Sequence, residues 1–327
     1  MSKLVTIYGG SGFVGRYIAR LMAKEGWRVR VAVRNPNEAM HVKPYGVVGQ
    51  VEPVFCNIRD DASVASVMDG ADAVVNCVGT FDRSGRNNFE AVQAEGATRI
   101  ARLAAAHGVG QLIHVSAIGA DAESASTYLR TKAEGEAGIL SHFPTAVILR
   151  PSVIFGNEDG FFNRFASMSR FAPVLPVVGA ETRFQPVHVD DVAQAAVKGI
   201  LGQAAPGVYE LGGPDVHTFR ELMQQMLVLI RRRRLILNLP NFVAGWVATL
   251  GGVAQYLSLG IVKQPITADQ IEALKVDNVV ADGAKGFADL GITPVAMEAV
   301  LPNYLWRFRP TGQYEAIKES ARNIRKV

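Results

Sequence analysis

The sequence predicts a doubly wound α/β fold, a parallel sheet with helices on both faces, followed by a smaller mixed C-terminal lobe. Three observations carry that expectation. Short apolar runs rich in β-branched residues alternate with helical patterns as far as about residue 150. Three glycines spaced Gly9-x-x-Gly12-x-x-Gly15 stand between the first such run and the first helical pattern. The chain is 327 residues long and 49% hydrophobic, so it can bury a sizeable core. Beyond residue 150 the alternation breaks up, which divides the chain into residues 1–150 and 151–327.

The elements follow in order. Residues 3–8 read as a buried strand, and Ile18, Leu21 and Met22 mark one face of the helix after it. Residues 27–34 and 51–57 read as the second and third strands. Asp61 or Ser63 is expected to cap a helix reaching about Met68. Residues 72–80 read as a fourth, wholly buried strand. A helical pattern over 89–107 ends at Gly108, as helices commonly do. Residues 111–117 and 145–151 supply two more strands around a helix over 128–140. Farther on, Asp190 or Asp191 is expected to cap a helix, and 208–214 reads as a short strand and turn of the lobe. In folds of this kind such a lobe lies over the carboxyl ends of the strands.

A strand that stops in a glycine loop before a helix aims backbone N–H groups and the positive helix end at one point. Gly9, Ser11, Gly12, Phe13, Val14 and Gly15 are therefore expected to hold a pyrophosphate in a Rossmann-like site. The acid that would grip a ribose 2′-hydroxyl after the second strand is missing. Arg34 stands in that place, with Arg16 just past the loop, and a guanidinium matches a 2′-phosphate. The ligand read from these residues is NADP(H). Asn57 and Ile58, after the third strand, are placed to meet the adenine. Gly79 and Thr80, after the fourth, are placed beneath the ribose and nicotinamide.

Tyr128 and Lys132 lie four apart on one helical face. An ammonium beside a phenol stabilises the phenolate, which can then pass a proton as hydride moves. The glycine loop, Val115-Ser116, Tyr128-x-x-x-Lys132, residues 149–152 and residues 187–191 together resemble the extended or atypical short-chain dehydrogenase/reductases, over residues 3 to 215. The resemblance implies that Tyr128 is the proton donor, that Lys132 is its partner, that Ser116 adjoins the cofactor, and that Pro151 and Val153 line the nicotinamide. Members of that group usually carry a small hydroxyl residue that completes the proton relay. Here Ala117 takes its place, one position after Ser116.

Residues 128–136 and 150–168 are more specific, and resemble the NADPH-binding accessory subunits of respiratory complex I and their alphaproteobacterial counterparts. That resemblance implies a nucleotide held as a structural element, with little or no turnover. It also implies docking on the peripheral arm near the membrane and the ubiquinone site. The other subunits of that complex are then the partners. Strand-like sequence beginning at Lys3 favours a bacterial member, at the cytoplasmic face of the inner membrane, over a processed mitochondrial form at the matrix face.

Net charge is +4, without a basic run in the context of a nucleic-acid reader. The six histidines show no ligand spacing, so no metal is expected, and Cys56 and Cys77 read as small core residues. From Leu235 to Val262 no residue is charged, and Arg231 to Arg234 stand directly before it. Asn238, Pro240, Asn241 and Gln255 make that stretch a poor span. Phe242, Trp246, Leu250, Val253, Leu257 and Ile261 lie at helical spacing, a face for a partner or for anionic lipid. The region around 231–265 and the tail 302–327, where Tyr304, Trp306 and Phe308 interleave with Arg307 and Arg309, are the expected docking segments. Two other function classes fit the residues: an active NADP-dependent reductase or epimerase using the Tyr–Lys dyad, and an NADP(H)-sensing regulator.

Overall fold

The computed structural model describes residues 2–80, 82, 85–240 and 267–312. The helical face over 242–261 and the tail beyond residue 312 lie outside them. The described chain forms two compact units. The first comprises residues 1–152, 187–212 and 279–294, and the second comprises 153–186, 213–278 and 295–327.

The first unit is a seven-stranded, all-parallel sheet. Its strands are β1 Leu4–Tyr8, β2 Arg28–Val33, β3 Val51–Phe55, β4 Ala73–Asn76, β5 Gln111–Val115, β6 Val147–Pro151 and β7 Gly207–Leu211. Their order is β7-β6-β5-β4-β1-β2-β3, with Ile7 of β1 level with Val31 on one side and Val75 on the other. The order reverses beside β1, so the carboxyl ends of β1 and β4 flank the crevice where such sheets take ligands. Helices α1 Phe13–Lys24, α2 Asp61–Met68, α3 Glu95–Ala106, α4 Thr127–His142 and α5 Val189–Ile200 surround the sheet. Helix α1 packs with α5, while α2, α3 and α4 form a contiguous group. The core under that group includes Tyr8, Met68, Val74, Ile100, Leu112 and Ile139.

Three local expectations change. The cap of α2 is Asp60, whose carboxylate accepts from the Ser63 N–H at 2.7 Å, so Asp61 falls inside the first turn. Helix α5 starts at Val189 with no side-chain cap, which leaves Asp190 and Asp191 in its first turn against the positive helix end. The strand expected in the lobe, β7, pairs in parallel with β6 and completes the sheet. Residues 279–294 then run beside it, where the Glu210 N–H donates to the Lys285 carbonyl.

A single π-helical turn, Glu90–Ala94, precedes α3. It brings the Gln93 carbonyl so close to α4 that a Cβ at Gly135 would fall on it, and the Ala97 methyl closes the same gap.

The second unit has its own core, with Phe155, Phe162, Leu175, Phe219, Met223 and Leu301 buried together. Strand Leu235–Asn238 pairs in parallel with Val174–Val177. Near 302–312 Tyr304 turns inward, while Trp306, Phe308 and Arg309 are half-buried and Arg307 is exposed. Tyr304 is buried and donates to the Asp159 carboxylate, and Arg309 Nε donates to the Leu229 carbonyl at 2.8 Å. Among the described residues no helix is long and apolar enough to cross a membrane.

The Gly135 contact yields a first prediction. Gly135→Ala forces α4 away from the π-helical turn and lowers stability by about 1–3 kcal/mol, the usual cost of overpacking. Thermal unfolding of the two proteins checks it; an unchanged midpoint contradicts the close approach.

Candidate functional site

The site is built where β1 ends. Gly9 adopts φ +74°, and a side chain there would press on the Cys77 carbonyl just past β4. Its N–H donates to the Ala32 carbonyl of β2 at 2.9 Å, so the loop is tied to both neighbouring strands. Gly15 is tighter: a Cβ would stand 2.5 Å from the Gly9 carbonyl oxygen and 2.6 Å from the Gly10 Cα. Gly12 caps α1 with extended backbone and no side-chain acceptor, and the first turn of α1 carries no acid. By contrast, Asp60 and Ser126 supply side-chain caps to α2 and α4. Among the described residues the first N–H groups of α1 thus have no capping side chain, which is the arrangement that suits an anion. Ser11, Phe13 and Val14 are half-buried around that point.

Arg34 follows β2 and is exposed, without any carboxylate paired to it among the described residues. Arg16 folds back on the loop, its Nη2 donating to the Ser11 carbonyl at 3.0 Å. Asn57 and Ile58 follow β3. The Asn57 carboxamide oxygen accepts from the Arg59 N–H at 3.2 Å, and Ile58 is buried against Gly96. Gly79 follows β4 and is exposed with open space around its Cα. The Thr80 hydroxyl accepts from the Asp82 N–H at 3.0 Å, and the Thr80 carbonyl accepts from Gln93 Nε2 at 2.8 Å. All these residues sit at one edge, because in a parallel sheet every strand ends on the same side.

Helix α4 brings the dyad to that edge. Ser126 caps it, Tyr128 lies in its first turn with its ring edge-on to Phe89 at 5.9 Å, and Lys132 lies one turn further in. Lys132 is buried and donates to the Val115 carbonyl at the end of β5 over 3.1 Å. Burial pulls its ammonium down to about 8, while the Glu136 carboxylate, one turn on, works in the opposite direction. Glu136 is itself buried and holds Arg150 of β6 through contacts of 2.6 to 3.2 Å. Ser116 is buried after β5. Its N–H donates to the Leu149 carbonyl at 2.7 Å, and its hydroxyl has no partner among the described residues. The Asn76 amide nitrogen at the end of β4 is likewise unpartnered. Pro151 ends β6 and is buried, and Val153 belongs to the second unit.

Glu136, Arg150 and Gln93 were not singled out from sequence. For Glu136 a signal was present, since it continues the Tyr128–Lys132 spacing by four.

The uncapped helix start, a loop that excludes side chains and the orphaned Ser116 hydroxyl fit a dinucleotide laid across the ends of β1 and β4. A family profile described as "NAD dependent epimerase/dehydratase family" matches residues 5–212. This chain belongs to that family. It is 34% identical over 320 residues to NADH dehydrogenase [ubiquinone] 1 alpha subcomplex subunit 9 of Arabidopsis thaliana, covering 94% of this chain and 79% of that one. It is 32% identical over 311 residues to the NADH-ubiquinone oxidoreductase 40 kDa subunit of Neurospora crassa, covering 95% and 80%. Among solved structures it resembles an NADPH-dependent quinone oxidoreductase of Escherichia coli complexed with NADPH. There the TM-score is 0.69, the identity 19%, and the coverage 92% of this chain and 98% of that one. At that identity the likeness is one of fold.

The buried lysine gives a pH prediction. Its folded pKa is depressed, so from about pH 8 to the unfolded value near 10.5 the folded chain releases a proton that the unfolded chain keeps. Stability of the nucleotide-free protein therefore gains a rising contribution over that window, at most about 1.4 kcal/mol per pH unit. Below pH 8 both states hold the proton and the contribution is flat. Denaturant unfolding at pH 8 and pH 10 is expected to lose this rise in Lys132→Met; an identical pH slope in both proteins contradicts it.

Proposed function

We propose that this protein is an accessory subunit of an NADH:ubiquinone oxidoreductase and carries NADP(H) as a fixed part of its structure. One observation carries the reading. The likeness to the Arabidopsis and Neurospora subunits spans 94% and 95% of this chain, well past residue 212, where the general family profile stops. A dinucleotide-binding unit alone would account only for the first two thirds.

On this reading Gly9, Ser11, Gly12, Phe13, Val14 and Gly15 hold the pyrophosphate through backbone N–H groups. Arg34, exposed and without a carboxylate partner among the described residues, meets the 2′-phosphate, with Arg16 bracing the loop from behind. Asn57 and Ile58 bound the adenine side. Gly79, Thr80, Ser116, Pro151 and Val153 belong to the nicotinamide side, and Lys132 turns to the ribose hydroxyls. When bound, the nicotinamide supplies the capacity to accept or give a hydride. Tyr128 and Lys132 retain the proton-handling pair for such a step. The residue after Ser116 is Ala117, however, and the Ser116 hydroxyl is buried. The relay of hydroxyls is thus broken beside an intact binding site, which favours retention over turnover. Partners are the other subunits of the complex, on the membrane face exposed to cytoplasm or matrix.

Two outcomes are expected. Mild-detergent purification from native membranes brings the protein down with a multi-subunit NADH dehydrogenase. A free soluble oligomer that oxidises NADPH, and stops doing so as Tyr128→Phe, contradicts the reading. Titration of the purified protein with each dinucleotide shows preference for NADPH over NADH. Arg34→Ala lowers NADPH affinity by about tenfold or more while leaving NADH affinity nearly unchanged. Equal loss for both cofactors removes Arg34 from the 2′-phosphate.

A further inference from the structure

A layer of polar side chains lies buried between the sheet and α4, one turn into that helix from Tyr128. Asn76 at the end of β4 is level with His114 of β5. Each stands two residues past a core position, Val74 or Leu112, so both turn to the face that α3 and α4 cover. Ser116 stands just past the end of β5, and Lys132 reaches the same place from α4. Water has almost no direct access to them. Asn76 and His114 are 1% exposed, and Ser116 and Lys132 are 5% exposed.

This layer is short of hydrogen-bond partners. Neither ring nitrogen of His114 has one among the described residues, nor has Asn76 Nδ2 or Ser116 Oγ. Turning the Asn76 carboxamide over gives no relief, because its oxygen already accepts from the Val78 N–H at 3.0 Å. The Lys132 ammonium carries three donors and, among the described residues, makes one hydrogen bond, to the Val115 carbonyl at 3.1 Å. Donors therefore outnumber acceptors, since a neutral imidazole offers a single lone pair and Ser116 a hydroxyl oxygen. The imidazole does stay neutral: burial and the Lys132 charge hold its pKa well below the ordinary histidine value. Buried polar groups are rarely left unbonded, so the layer calls for a small ligand that both accepts and donates.

We propose that His114 and Asn76 hold a small cluster of ordered water that solvates the Lys132 ammonium from behind. Water accepts from the ammonium and the carboxamide, donates to the imidazole nitrogen, and suits a closed polar site. A metal cation would meet N–H donors here, and an anion would meet the bare lone pair of the imidazole. His114 is thus a positioning residue, acting on the nucleotide side through water and Lys132. The ionisable groups around Lys132 are His114 on β5, Cys77 after β4, and Tyr128 and Glu136 on its own helix. Glu136 is already bound to Arg150 of β6. From α3 and the π-helical turn, Ala97, Thr98 and the Gln93 carbonyl face α4. Burial favours the uncharged amine, and water at its back opposes that loss. The inference rests on the reading above only for the turning of Lys132 toward the nucleotide ribose.

Two measurements on the full chain test it. A high-resolution crystal structure, with and without NADPH, is expected to show water within hydrogen-bond distance of a His114 ring nitrogen, Asn76 Nδ2 and Lys132 Nζ. Ring nitrogens packed only against carbon, or bonded directly to protein atoms, overturn the proposal. The second measurement is NADPH affinity against pH for the unmodified protein, His114→Leu and His114→Gln. Affinity is expected to fall on the alkaline side as Lys132 loses its proton. His114→Leu takes away the group that holds the water, and moves that fall to lower pH by about one unit or more. His114→Gln keeps a donor and an acceptor, and leaves the fall near its place in the unmodified protein. An unmoved fall in His114→Leu, or an equal shift in both variants, overturns the proposal. If affinity shows no alkaline fall in any of the three, Lys132 does not face the nucleotide and that part of the reading above fails. The water seen in the nucleotide-free crystal then decides the present proposal by itself, as it does if His114→Leu fails to fold.

Discussion

The backbone of the loop after β1 comes so close to its surroundings that side chains have no room at two positions. Gly9 lies against the chain leaving β4, and Gly15 lies against Gly9 and Gly10. That contact fixes the start of α1 beside the point where the strand order reverses. It also leaves the first N–H groups of the helix without a capping side chain among the described residues. The architecture of the first unit and the demand for an anion at its edge follow from the same steric fact.

A second constraint runs along α4. Tyr128, Lys132 and Glu136 recur every fourth residue, and each does something different. Tyr128 meets the Phe89 ring, Lys132 is buried against the end of β5, and Glu136 holds Arg150 of β6. The ion pair fixes the rotation of the helix against the sheet, and that rotation turns Lys132 inward. Removing Arg150 strands the buried Glu136 carboxylate, a change that usually costs about 3–5 kcal/mol. The dyad is therefore held by structure whether or not it turns over substrate. This is why an intact Tyr-x-x-x-Lys is compatible with a protein that keeps its nucleotide.

Much of this is legible in the sequence. The buried strands announce themselves as β-branched runs, and the glycine spacing fixes where the first helix starts. The seventh strand reads as a strand of the lobe, yet it belongs to the sheet. It enters the chain some sixty residues after the strand it pairs with, and no local pattern encodes a pairing at that distance. The caps of α2 and α5 moved because several acids crowd each start, and only backbone geometry chooses among them. The π-helical turn before α3 has no sequence signature, although it sets the gap that Gly135 fills. The aromatic and basic stretch near residue 304 had the composition of a contact surface. Tyr304 found its partner, Asp159, far away in sequence and inside the same unit.

Retention is the centre of the proposed function, in which the loop, Arg34 and Lys132 hold the nucleotide beside an incomplete relay. The most direct measurement is the nucleotide released on denaturing the protein purified within its dehydrogenase, before and after sustained NADH oxidation. The account predicts stoichiometric NADP(H), the same in both samples and unexchanged with labelled NADPH added during turnover. Absence of nucleotide, NAD(H) in its place, or exchange of the label with each round of turnover contradicts it.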